Sequence, residues 1–376
     1  MKIENYVFRN GKWNAPFNLE LNSENTLITC FYDPQIDWVP QLEELAKNYS
    51  KAKMIGCSSS GEIFGTQVFD KSLSVSVAKF ASTKLKTAEV LIEKSRSSKE
   101  LGELLGQQLQ AQDLTYLLVL SDGLSVNGTD LSNGITGVVK KSVVSGGLSG
   151  DGSRFINTTT VLNNSIKTGR VVAVGFYGSK LKTGTGSFGG WDSFGPERQV
   201  TKASGNVLFE LDGKPALNLY KSYLGDQANG LPGSALLFPL AITTADRKSI
   251  VRTVLAVDEE KQNMTFAGDI PEGASAQLMK ANLTKLVSGA AQAGSMAAGD
   301  FKNTDSECLA IAISCVGRRL VLGERIEDET EALQEVLPAK AKVIGFYSYG
   351  ELSPSGASAC ELHNQTMTIT LLQEVE

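Results

Sequence analysis

Hydrophobic positions along the chain switch period at short intervals. Residues 25–32 (NTLITCFY) form a short apolar run rich in β-formers, which predicts a strand. Residues 38–49 follow with Val39, Leu42, Leu45 and Ala46 at helical spacing. The run KAKMIG then predicts a second strand and CSSSGE a turn. Leu73, Val75 and Val77 alternate with serines, the pattern of a strand buried on one face. The same order returns near the end: CLAIAISC, helical spacing at Leu333, Val336 and Leu337, then KVIGFYSYGE, then Met367, Ile369 and Leu371 alternating with threonines.

Two of these segments are copies. KAKMIGCSSSGE (51–62) and KAKVIGFYSYGE (340–351) agree at eight of twelve positions. A looser third copy, SVVSGGLSGDG (142–152), again sets Ser-Gly before an acid, after a predicted strand at 116–120, an SDG turn and a helical stretch around 135–140. A design repeated three times predicts an architecture of repeated units whose loops can share a pocket.

Between the copies, 178–205 has the look of a loop. Its glycine-dense run TGTGSFGG marks the expected domain junction. Residues 206–213 suggest a strand and turn, and 214–224 a helix after Pro215. Several short strands follow through 268, and 276–286 alternates before a helix rich in small residues at 290–298. The expected fold is α/β: repeated strand-helix-strand units forming two strand-rich sheet domains with pseudo-symmetric halves, divided as 1–190 and 191–376.

Composition narrows the function classes. The chain has 376 residues, 41% hydrophobic and 20% charged, as in ordinary globular proteins. Net charge is −5 and the basic residues are scattered, so no nucleic-acid partner is expected. Without a secretory h-region or a run long enough to span a bilayer, the expectation is a cytoplasmic protein that does not engage a membrane. Five cysteines with no CxxC pair fit reduced, buried thiols and no metal site.

Candidate chemistry sits on the repeated loops. Cys57 follows Gly56 in a polar turn, where a thiolate can be activated, but the other strong copy has Phe346 there. Ser59 and Ser348, Gly61 and Gly350, and Glu62 and Glu351 match between copies. Short side chains with exposed N–H groups suit a carboxylate nest, and the glutamates suit an amino group. Asp122 ends a predicted strand, where α/β sheets bind ligands, and Asp151 is similar. Of Arg318 and Arg319, Arg318 is the better placed to hold a ligand carboxylate. Tyr347 and Tyr349 flank Ser348 and can wall a pocket. Turn chemistry and core packing explain the same residues without a ligand.

The segments GCSSSGEI, SDG, GGLSGDG, VGFYG and ELDGKPALNLY, with SCVGRR, GFYSYGEL and LHNQTMT near the end, resemble the FIST family. Its members pair an N-terminal and a C-terminal FIST region. The resemblance implies an intracellular sensory module that binds a small ligand, an amino acid being one such, and signals to an output such as a histidine kinase or cyclase. No output domain is left over in this chain, so the partner is expected to be separate. Some relatives resemble haem-binding nitric-oxide sensors. A haem alternative would use His363, the lone histidine, and otherwise no cofactor is expected. With one imidazole, no GxSxG elbow and no phosphate loop, no catalytic constellation is expected. An enzyme using Glu62 and Glu351 is the least favoured reading.

Overall fold

A computed structural model of the protein describes residues 1–245, 249–301, 306–354 and 359–375. It is mixed α/β, with four strand-rich sheets in two domains. One strand-helix-strand unit occurs three times. Strand Thr26–Tyr32, helix Val39–Asn48 and strand Lys53–Ser58 make the first. Leu114–Ser121, helix Gly128–Val138 and Val143–Leu148 make the second. Cys308–Cys315, helix Ile326–Val336 and Ala341–Ser348 make the third. In each unit the two strands are parallel, and a return strand (Leu73–Lys79, Arg170–Tyr177 or Met367–Glu374) pairs antiparallel with the first.

The repeat is thus threefold in its connectivity, and matching halves are not what the pairing displays. Each unit also sends a short arm into a neighbour's sheet. Glu62–Phe64 of the first unit pairs with Ala341–Ser348 of the third. Gly350–Pro354 of the third pairs with Val143–Leu148 of the second. Thr160–Leu162 of the second pairs with Lys53–Ser58 of the first. The exchange closes on itself, so the second parallel strand of every unit is paired on its outer side by an arm from a neighbour.

The first strand of each unit is buried on both faces and reads as a continuous apolar run, and the return strand Leu73–Lys79, expected to be buried on one face, has its alternating Ser74 and Ser76 buried as well. The inner faces of the sheets share one core, where Phe31, Cys57, Leu118, Ile313 and Phe346 meet and the rings of Phe31 and Phe346 stack at 4.6 Å. Helices cover the outer faces, as Leu101, Leu105 and Ile135 do over the second unit. No described helix is long and apolar enough to cross a membrane.

The expected loop at 178–205 is instead two strands, Leu181–Phe188 and Asp192–Ser204. Its glycines act by size, because a Cβ on Gly184 or Gly186 would run into the Ala297 or Ala293 carbonyl of helix Leu283–Ala298. Glycine there lets the helix lie flush on the strand. Past this point the chain builds an eight-stranded sheet with its own core around Leu208, Leu217 and Phe266, before returning to the third unit.

A second set of glycines is equivalent in the three units. Gly56, Gly146 and Gly345 stand in register with Cys30, Val119 and Ala312, and a Cβ on each would fall under 3.0 Å from that partner's carbonyl oxygen. Gly345→Ala should therefore destabilise the protein by about 3 kcal/mol in urea denaturation, the upper range for overpacking. Gly137→Ala, on an exposed helical position with open space around it, should stabilise by up to about 1 kcal/mol. Equal effects of the two would show that the tight strand contact is not what fixes Gly345.

Candidate functional site

The three repeated loops meet. The N–H of Ser60 donates to the Tyr347 carbonyl at 2.8 Å, that of Tyr349 to Leu148 at 3.1 Å and that of Gly150 to Ser58 at 3.1 Å. Each bond joins equivalent positions in successive units, so the three form a closed ring. Neighbouring N–H groups are also taken. Ser59 donates to Tyr32, Tyr347 to Gly61, Ser149 to Ser121 and Gly61 to Ser59 Oγ. The N–H groups expected to form an anion nest are spent on the chain itself.

The acids are buried beside this ring. Glu62 Oε2 accepts from the Ser72 hydroxyl at 2.8 Å and its N–H at 3.3 Å. Glu351 repeats the contact one unit on, with Thr366 Oγ1 at 3.0 Å and N–H at 3.3 Å, and also takes the Ser348 hydroxyl at 2.6 Å. Burial pushes Glu351 up to about 8, against the Ser348 and Thr366 bonds that lower it. Burial likewise raises Glu62 well above the carboxylate range, with Ser72 opposing. For Asp151 burial raises too, but is outweighed by Tyr349 and the N–H groups of Asn157, Ile156 and Phe155, and the net shift is downward.

Asp122 closes its own turn, accepting from Leu124, Ser125 and Gly169 N–H groups at 2.9 to 3.0 Å. Asp33 does the same in the first unit through Gln35 and Lys71. Cys57 lies in the shared core, where burial first and then Cys30 push its thiol well above its ordinary value. That thiol is no nucleophile. Tyr347 is fully buried and donates to Glu329 at 2.7 Å, while Tyr349 bonds Asp151 and stacks on Phe155 at 4.4 Å.

Arg318 does not reach the loops. It is fully buried on Glu329, with Nη2 at 2.7 Å and Nε at 3.1 Å, and donates to the carbonyls of Leu286 and Gly189. Arg319 is the arginine at the ring. It donates to Ser60 O and pairs with Asp70 at 2.7 Å, lying against Gly61, whose φ of +139° and missing Cβ leave it room. His363 sits opposite Glu351 across the strand pair, with Nε2 3.0 Å from Ser353 O.

A cavity of about 280 Å³ that sequence reasoning did not single out lies elsewhere. Thr129 and Ser132 of helix Gly128–Val138 line it together with Ile250, Arg252, Asp269, Glu361 and Leu362. Arg252 is 4% exposed, yet its acceptors are two neutral carbonyls, Asp269 O at 3.2 Å from Nε and Leu362 O at 3.0 Å from Nη1. Among the described residues no carboxylate lies within ion-pair distance, and Nη2 has no hydrogen bond. Burial lowers its pKa to about 10, against the charges of Asp269 and Glu361. Thr129 Oγ1 is buried without a partner among the described residues. The sequence did carry one signal, a lone charge inside the apolar run SIVRTVLAV.

Family models match most of the chain: a FIST N domain over residues 26–214 and a FIST C domain over 216–354. The chain belongs to the FIST family, whose domains are sensory, small-ligand-binding signalling domains. The cavity therefore lies on the seam between the two, with Thr129 in one and Arg252 in the other. A search of curated proteins found no match. Among solved structures, a cyanuric acid hydrolase from A. caulinodans is similar over 93% of this chain and 89% of its own, at 10% identity and a TM-score of 0.32. A likeness that loose carries no argument.

The raised Glu351 carboxyl has a consequence for stability. An unfolded glutamate titrates near 4.3, and this one near 8 when folded. Between those values the unfolded chain gives up a proton that the fold retains, so stability is full at low pH and falls as pH rises toward 8. Glu351→Gln should flatten the decline in urea midpoint between pH 5 and pH 8. An unchanged slope would mean that this carboxyl is already ionised at neutral pH.

Proposed function

We propose that this protein is a sensor for a small polar ligand, an amino acid or related carboxylate, bound on the seam between the FIST N and FIST C domains. The occupancy signal goes to a separate partner such as a histidine kinase or cyclase. The observation that carries this reading is Arg252. The Arg252 guanidinium feels the charges of Asp269 and Glu361 but its bonds go to neutral carbonyls, and a ligand carboxylate would supply the charge-assisted, fork-matched bonds it lacks. Thr129 offers a hydroxyl from the opposite domain.

A ligand that touches both domains favours the arrangement in which both contacts can form, which is how occupancy becomes a signal. The ring's hydroxyls and most of its carboxylate oxygens are hydrogen-bonded within the fold, although Glu62 Oε1 is buried without a partner among the described residues; binding at the seam is the role we assign to the chain.

Thermal-shift screening against amino acids and small organic acids tests this. A binder at a hundredfold excess over its Kd adds about 2.7 kcal/mol, enough to raise Tm by several degrees. Arg252→Lys keeps the charge and the stem but loses the fork, and should abolish most of the shift. A folded wild type that no compound stabilises, or a shift that Arg252→Lys leaves intact, overturns the assignment.

A further inference from the structure

One polar pair spans the seam through Asp269, a residue of the cavity lining. Asn127 Nδ2, from the FIST N domain, donates to Asp269 Oδ1, from the FIST C domain, at 2.8 Å. Both residues have a second task. Asn127 caps the helix that carries Thr129 and Ser132, its Oδ1 accepting from Asp130 N at 3.1 Å, and its own N–H is fixed on Ser98 Oγ at 2.9 Å. Asp269 holds Arg252 through its main-chain carbonyl.

The side chain of Asp269 thus grips one domain while its backbone grips the guanidinium that faces the cavity. Asp130, in the first turn of the same helix, has its carboxyl raised by burial and then by the charge of Asp269. Two acids therefore oppose each other across the seam, and the neutral amide of Asn127 is the group between the domains that can accept Asp269 without repulsion.

We infer that the Asn127–Asp269 pair is a latch holding the two domains together over the cavity, so that its making and breaking sets whether the cavity is closed. That the pair gates a ligand rests on the seam being the ligand site; that it holds the two domains together over the cavity does not. The latch makes Asn127 a positioning residue, acting through Asp269 on Arg252.

Exchanging the two side chains tests the latch in the ligand-free full chain. Asn127→Asp keeps a good helix cap but sets two carboxylates face to face. Amide hydrogen exchange should rise about tenfold in peptides covering 128–133 and 267–271 together, the opening expected when a bond of about 1.4 kcal/mol is lost. The double variant Asn127→Asp with Asp269→Asn recreates the pair with donor and acceptor reversed, and should bring both peptides back to within about twofold of wild type. Asn127→Ser, which caps but is too short to reach, should raise exchange in the same peptides. The latch is overturned if Asn127→Asp leaves the two segments unchanged, if only one of them responds, or if the exchanged pair fails to rescue. The same variants titrated with L-glutamate by thermal shift address the ligand reading separately: a rescued latch with no shift in any variant counts against the seam as a carboxylate site and leaves the latch standing.

Discussion

Everything in the three-unit part of the molecule depends on the closure of one ring of backbone hydrogen bonds, Ser60 to Tyr347, Tyr349 to Leu148 and Gly150 to Ser58. A single strand-helix-strand unit with its return strand would present an unpaired edge and a bare inner face. Exchange of arms pairs the second parallel strand of each unit with a neighbour's chain, and the shared core around Phe31, Cys57 and Phe346 covers the inner faces. Ring closure is possible only where the loops are small and carry their own acceptors, which is what serine and glycine supply. The buried carboxyls follow from the same constraint. Glu62 and Glu351 sit where a return strand begins, and each satisfies the first N–H and hydroxyl of that strand.

This closure separates structure from binding. The loops that look most like a site spend most of their polar groups on the chain itself, Glu62 Oε1 being an exception among the described residues. The seam between the FIST domains is different. It lines a cavity with a buried guanidinium bonded to neutral carbonyls and holds a hydroxyl without a partner among the described residues, the features on which the proposed ligand site rests.

Much of this was legible in the chain. Strand and helix periods located the elements of the first and third units to within a few residues, since those units are regular and their strands lie inside a common core. The repeat itself announced that the loops would meet. What the sequence could not show is how side chains are committed once they have met. Whether Arg318 or Arg319 reaches the ring depends on which side of a short helix faces Glu329. The strand Leu181–Phe188 was hidden because its glycines serve a helix from a hundred residues away, and glycine in isolation spells a loop. The seam cavity was hidden for a similar reason. Thr129, Arg252 and Leu362 come from three distant stretches with no shared pattern, and only the lone charge in SIVRTVLAV hinted at it.

The most direct measurement is a crystal structure of the protein grown with the small carboxylate that raises its melting temperature most. Ligand density should lie on the seam, with a carboxylate oxygen within hydrogen-bond distance of Arg252 Nη2 and the three-loop ring unchanged. Density among the loops 58–62, 149–152 and 347–351, with Arg252 left facing an empty cavity, would contradict the separation of ring from binding site.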